Sequence, residues 1–185
     1  MTINATPFEG LYVIEPRVFE DHRGFFYESY SMKHLEAVTG ESLCFVQDNH
    51  SYSKQYVLRG MHFQEPPHDQ VKIVRVVHGE VLDVVIDIRK SSKTFGQYYK
   101  IKLSATNRKQ LYIPVGFAHG FLVLSETAEF VYKCSNFYHP ESENGLAFDD
   151  PTINIDWGMP SEHFILSEKD IALRNNTIQN LDFYV

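Results

Sequence analysis

Disulfide chemistry has almost nothing to work with in this chain: among 185 residues there are two cysteines and a single tryptophan. Two thiols build no stapled scaffold, so stability has to come from a buried apolar core, which a chain of this length can supply. Cys44 and Cys134 both fall in runs that otherwise read as apolar strands, and the expectation is two reduced, buried thiols. Also missing is any apolar stretch of membrane-spanning length, and residues 1–10 lack the basic start and apolar run of a secretory signal. A cytoplasmic protein with no membrane partner is expected. Positive charge is scarce as well: 17 Lys and Arg against 24 Asp and Glu give a net charge of −7. That balance argues against nucleic acid as a partner, and it requires any anionic ligand to be held by a local cluster of cations. The 10 Gly and 8 Pro are scattered, with no linker, low-complexity tract or fixed-period repeat. One domain spanning residues 1–185 is expected.

Aromatic residues are abundant, at 14% of the chain, and they lean toward strands and stacking surfaces. From Gln47 onward short β-rich runs recur, including 71–77, 81–88, 98–103, 120–124 and 129–134, separated by turn residues. Ser31 is placed to cap a short helix over 32–38 that stops near Gly40, and Ser167 to cap another opening with Glu168, Lys169 and Asp170. Many short strands without long helices between them predict an all-β sandwich, jelly roll or barrel, with the helices peripheral. In the 71–77 run, Lys72 alternates onto the same face as Val74 and Val76. A cation carried among apolar neighbours is unusual.

The segment Leu111-Tyr112-Ile113-Pro114-Val115-Gly116-Phe117-Ala118-His119 resembles the second cupin motif, in which Pro-x-Gly turns tightly and the following His points into a barrel. Gly60-Met61-His62-Phe63-Gln64, with Lys72 and then Gly79, resembles the first. Metal-binding cupins carry His-x-His and a Glu there, whereas this chain has Gln64 and Lys72 in the second and third ligand positions. An ammonium has no lone pair to offer a cation and repels it. The expectation is therefore a cupin-like jelly-roll β-barrel with a site that takes no metal and no cofactor. His, Lys and Tyr directed into one cavity suit proton transfer: neutral imidazole, with a pKa near ~6.5, takes a proton, and a fixed cation stabilises the enolate formed beside a ketone. Inverting the carbon also needs an acid on the opposite face. A phenol, with a pKa of about 10, fits that need, and the residues alone leave Tyr112, Tyr132 and Tyr138 open.

Over most of the chain, from Phe19 to Asp170, the sequence resembles the dTDP-4-dehydrorhamnose 3,5-epimerase family. The matching blocks are the run from Phe19 through Arg23 to Glu28, Gln47-Asp48-Asn49-His50-Ser51, Leu58-Arg59-Gly60-Met61-His62, Lys72, Asp83 to Arg89, Pro114 to His119, Tyr132, Tyr138, Asp149-Asp150-Pro151 and Ser167-Glu168-Lys169-Asp170. The resemblance implies His62 as the base, Asp170 as its partner, Tyr132 as the acid, and Lys72 facing the C4 oxygen of a dTDP-linked 4-keto-6-deoxyhexose. It assigns substrate contacts to Phe19, Arg23, Glu28, Gln47, Asn49, Arg59, His119, Glu143 and Lys169, and stacking on thymine to Tyr138. It also implies a homodimer with exchanged N-terminal strands. Arg23, Arg59 and Lys169 are the local cations a diphosphate requires on a net acidic chain. The expected activity is inversion at C3 and C5 on the way to dTDP-L-rhamnose. The competing expectations are a single-carbon epimerase or a relative using another nucleotide-linked 4-keto sugar, a metal-dependent cupin, and a non-catalytic sugar-nucleotide binding module. Asp87, Arg89 and the remaining histidines are read as structural or surface residues.

Overall fold

A computed structural model describes residues 1–181. The strands, in chain order, are β1 (Thr2–Ala5), β2 (Tyr12–Glu15), β3 (Phe19–Asp21), β4 (Gly24–Phe26), β5 (Gln47–Lys54), β6 (Leu58–Gln64), β7 (Lys72–His78), β8 (Glu80–Asp87), β9 (Tyr98–Ser104), β10 (Gln110–Ile113), β11 (Phe117–Val123), β12 (Thr127–Cys134) and β13 (Glu143–Gly145). Two short helices, α1 (Met32–Thr39) and α2 (Glu168–Ala172), lie outside them. Six strands form one sheet in the order β1-β2-β10-β7-β12-β5, and five form a second in the order β13-β6-β11-β8-β9. β3 and β4 pair only with each other. From β5 to β8, and again from β9 to β13, each strand lies in the opposite sheet to the one before it. With antiparallel pairing throughout the two sheets, this is the expected jelly roll.

Strand periodicity decides what each face holds. On β7, Val74 and Val76 join the core between the sheets, together with Val85, Leu111, Phe121 and Phe130, and Lys72 shares their face. Ile73, one position over, packs on the outer face against Ile14, Leu35 and Tyr112. β8 is buried on both sides, which is why it reads as a nearly continuous apolar run. Its outward Leu82, Val84 and Ile86 are covered by the C-terminal segment through Leu146, Phe148, Trp157 and Ile178. Each fully buried aliphatic side chain in these clusters contributes roughly 1.5–3 kcal/mol.

Gly116 turns the chain between β10 and β11 at φ +83°, the left-handed conformation that the Pro-x-Gly motif calls for. At Gly120 the need is space. A Cβ there would sit 2.7 Å from Met61 Sδ and 2.8 Å from the Arg59 carbonyl, so only glycine lets β11 lie this close to β6. That approach sets His119 directly opposite His62.

The sequence-based boundaries hold to within a few residues for β7, β8, β9 and β12, and for α1. Cys44 departs from expectation: it is exposed, in the irregular 41–46 segment, while Cys134 is buried at the end of β12. The aromatic and apolar composition around Cys44 belongs to a loop whose Leu43 and Phe45 pack onto the outer face of the six-stranded sheet, leaving the thiol between them outward.

Candidate active site

The open end of the barrel holds a cavity of about 310 Å³ lined by Gln47, Asn49, His62, Gln64, Lys72, Tyr132, Cys134, Tyr138 and Glu143. Five strands contribute to its walls, β13 through Glu143. β5 is a polar strand, and its inward Gln47 and Asn49 face the cavity in place of apolar side chains. β6 brings His62, β7 brings Lys72, and β12 brings Tyr132 and Cys134. Tyr132 lies opposite Val74 on one side and Asn49 on the other, so β12 sits between the strands that carry Lys72 and Asn49.

His62 has 26% of its side chain exposed, toward the cavity, and its Nε2 lies 2.7 Å from Oδ1 of Asp170, which is 4% exposed. The contact is close but off the line of an ideal N–H···O bond, so it is an ion-pair contact with some slack. With Nε2 turned to the carboxylate, Nδ1 is the ring nitrogen left to take a proton. Burial pushes the Asp170 carboxyl up, but the close His62 imidazole and the Ser167 hydroxyl outweigh it and hold the group below the usual Asp range. Asp170 is therefore an anion at neutral pH, suited to stabilise a protonated imidazole.

Lys72 Nζ lies 6.0 Å from the centroid of the Tyr132 ring. Burial lowers the Lys72 pKa, with Cys134 and Glu143 working in the opposite sense. Burial raises the Tyr132 phenol, so that it holds its proton at neutral pH. At the mouth, the Tyr138 hydroxyl donates to Glu143 Oε2 at 2.5 Å, and Lys169 pairs with the other oxygen of Glu143. The Tyr138 backbone N–H donates to Gln47 Oε1 at 3.1 Å, fixing the aromatic loop to β5. Burial raises the Glu143 carboxyl, but the hydrogen bonds from Lys169 and Tyr138 hold it below the usual Glu range.

His119 sits deeper, in a narrow recess shared with Lys72, Gln64 and Phe117. Its Nε2 lies 2.9 Å from Oδ2 of the fully buried Asp83. Burial raises the Asp83 pKa against the pull of His119, and its Oδ1 finds no partner among the described residues. Arg59 is exposed and is not among the residues lining the cavity; its Nε donates to Ser53 Oγ at 3.1 Å, and its charge pulls against the burial that raises the Tyr132 phenol.

Phe19, Arg23 and Glu28 are not brought to this cavity. They are exposed on and just beyond the β3–β4 hairpin, where Arg23 pairs with Asp21 at 2.6 Å. Asp87 and Arg89 form the structural pair expected of them, at 2.7 Å. Two other concavities, of about 330 and 390 Å³, lie on the outer face of the six-stranded sheet and beside Trp157. Neither is lined by His62 or Lys72, which meet Tyr132 only in the barrel cavity. Among the described residues, no three of His, Cys, Asp and Glu gather as a metal-binding group, and no helix is long and apolar enough to cross a membrane.

Three residues of the site escape sequence reasoning. Asp83 is hidden in an apolar run, where only its alternation with Val81 and Val85 signals that it points inward. Cys134 is read as core, yet it lines the cavity and accepts a long 3.7 Å contact from Asn49 Nδ2. Ser167 is legible as a helix cap but not as a neighbour of the Asp170 carboxylate.

The family model for dTDP-4-dehydrorhamnose 3,5-epimerase matches residues 5–177. The dTDP-4-dehydrorhamnose 3,5-epimerase of Escherichia coli (strain K12) is 52% identical over 173 residues, which cover 94% of this chain and 93% of that protein. The crystal structure of dTDP-4-dehydrorhamnose 3,5-epimerase from Elizabethkingia anophelis NUHP1 superposes with a TM-score of 0.93 at 49% identity, covering 99% of both chains. That of dTDP-6-deoxy-D-glucose-3,5-epimerase from Legionella pneumophila Philadelphia 1, in complex with dTDP-4-keto-L-rhamnose, gives 0.92 at 47% identity and covers 98% of this chain and 94% of that one. A jelly roll of this topology, a cavity lined by these residues and identity near one half along almost the whole chain place the protein in one group: it belongs to the dTDP-4-dehydrorhamnose 3,5-epimerase family.

Proposed function

We propose that the protein converts dTDP-4-dehydro-6-deoxy-D-glucose to dTDP-4-dehydro-L-rhamnose by inverting C5 and C3 in turn, without a cofactor. The observation that carries this is the convergence of His62, backed by Asp170, with Lys72 and Tyr132 on the walls of one cavity. The C4 ketone makes the protons on C3 and C5 acidic. His62 Nδ1 takes one of them, the electron pair moves toward the C4 oxygen, and the Lys72 ammonium offsets the enolate charge. Tyr132 returns a proton to the opposite face of the same carbon, which re-forms the ketone with the configuration inverted. Once His62 has released its proton and Tyr132 has regained one by exchange with solvent, the cycle repeats at the second carbon.

The nucleotide end is assigned to the mouth. Tyr138 stacks on thymine, and Lys169 and Arg59 face the diphosphate, with Gln47, Asn49, Glu143 and His119 completing the contacts. Support for a homodimer comes from the β3–β4 hairpin: Phe19, Phe25 and Phe26 are 50%, 59% and 67% exposed, which is costly for a free surface. Exchange of this segment between two copies of a single-domain chain covers those rings and delivers Phe19, Arg23 and Glu28 to the neighbouring cavity. The cytoplasm suits its two free thiols.

The test is direct conversion. Purified protein incubated with the 4-keto sugar nucleotide is expected to give a product whose proton couplings report the L-configuration at both carbons. Inversion at one carbon alone would assign a single-carbon epimerase, and recovery of unchanged substrate would remove the assignment.

A further inference from the structure

The two carboxylate oxygens of Asp170 face different parts of the chain. Oδ1 lies 2.7 Å from His62 Nε2, with the Gly60 backbone N–H at 3.4 Å. Oδ2 accepts the Ser167 hydroxyl at 2.6 Å and the Ser167 backbone N–H at 3.3 Å. In return, Ser167 Oγ accepts the Asp170 backbone N–H at 3.2 Å, so the pair forms the reciprocal capping box of α2. The side chain that stops this helix from fraying is thus the one that meets the imidazole.

The terminal torsion of an aspartate is soft, and a carboxylate held at one oxygen still swings about it. Here the hold on the Oδ1 side is weak: the His62 contact is off-line and the Gly60 bond is long. The short hydroxyl bond to Oδ2 is the strongest restraint on the carboxylate plane. We propose that Ser167 is a positioning residue for proton transfer, its hydroxyl locking the Asp170 carboxylate in the orientation that keeps Nε2 protonated and leaves Nδ1 of His62 free to act as base. This rests on the proposed role of His62. The other charged and titratable groups around the pair are His119, directly opposite His62 on β11, Glu143, Lys72 and Tyr132 from the facing strands, and Lys169 from α2. None of them is bonded to Ser167, so replacing it alters the base through Asp170.

Ser167→Ala is expected to lower kcat about tenfold while KM stays within about twofold, because a loosened carboxylate disturbs proton transfer more than it disturbs binding. With imidazolium less well stabilised, the low-pH limb of the rate profile moves to lower pH. The His62 resonance, followed by NMR in the protein without substrate, titrates lower by the same shift. Ser167→Thr keeps both the cap and the donor and is expected to restore the wild-type rate and limb. Melting curves confirm that both variants are folded. Wild-type kcat and an unshifted His62 titration in Ser167→Ala would overturn the proposal, as would an equal loss in Ser167→Thr. If the wild-type protein itself fails to epimerise, the assigned reaction falls, while the His62 titration still decides whether Ser167 sets the imidazole.

Discussion

At His62 the ring has two nitrogens and only one is free to accept a proton. Asp170 occupies the other, and the burial of that carboxylate, at 4% exposure, keeps water from competing for the contact. Lys72 is the residue whose role is easiest to isolate. It sits on the inner face of β7 with no carboxylate bonded to it among the described residues, so its charge is available to a developing oxyanion. Lys72→Met keeps the length and the packing of the stem and removes only the charge. It is expected to lower kcat by roughly 10²–10³-fold, the usual cost of one oxyanion-stabilising group, with a smaller change in the affinity for dTDP. Steady-state kinetics and ligand titration on the same preparation check this. A loss confined to dTDP affinity would instead make Lys72 a phosphate contact. The sequence exposes Lys72 clearly, because an ammonium at an inward position of a strand breaks the alternation. It does not single out Tyr132 among the strand tyrosines, since a phenol that packs and a phenol that donates look alike until Lys72 and His62 are beside it.

Elements position these side chains by period and by close approach. β6, β7 and β12 each carry one member of the proposed proton-transfer set inward, His62, Lys72 and Tyr132, because alternation ties it to neighbouring apolar positions, and the β-rich runs over β7 and β12 are legible in the sequence. β5 is harder to read, since its inward positions are the polar Gln47, Asn49, Ser51 and Ser53, the first two of which line the cavity, and its hydrophobic signature is absent. β3, β4 and β13 are three-residue strands, too short for any periodic signal. The turn after β8 shows what structural polarity looks like by contrast. Asp87 is fully buried and accepts the Arg89 backbone N–H and guanidinium, with both hydroxyls of Ser92 and Thr94 on Oδ2 at 2.6 Å. Burial pushes its carboxyl up, but these hydrogen bonds outweigh it and hold the pKa below the usual 3.8. A carboxyl depressed in the folded state stabilises the fold fully above its unfolded pKa and loses that contribution as pH falls through the folded value. Asp87→Ala, which strands Arg89, is therefore expected to cost about 3 kcal/mol at neutral pH. Activity per folded molecule should be unchanged, and the melting-temperature gap to wild type should close as the buffer is taken below about pH 4. A gap that stays constant down to acid-unfolded conditions would show that the ionised carboxylate is not what stabilises the turn.

For the whole molecule, the placement of the hairpin bears on the proposed exchange between copies. Phe19, Arg23 and Glu28 carry family-like positions in sequence yet stand in solvent away from His62 within one chain. No pattern in a single sequence reveals whether a segment serves its own barrel or another copy's, because the motif is the same either way. If the hairpin is exchanged, mixing His62→Ala and Arg23→Ala subunits creates dimers in which one cavity carries both defects and the other carries neither. Two weakly active proteins are then expected to regain activity on subunit exchange, up to about a quarter of wild type for random pairing with one intact cavity in each mixed dimer. No regain, with subunit mixing verified by mass, would place Arg23 in its own chain's site or outside any site.

The most direct test of the proton-transfer chemistry follows solvent deuterium into the sugar. With the 4-keto sugar nucleotide in D2O, wild-type protein is expected to place deuterium at both C3 and C5. His62→Ala should place it at neither, and Tyr132→Phe should still remove protons while failing to return them on the inverted face. Label entering both carbons in His62→Ala at the wild-type rate would contradict the assignment of His62 as the base, and with it the mechanism built on the His62–Asp170 pair.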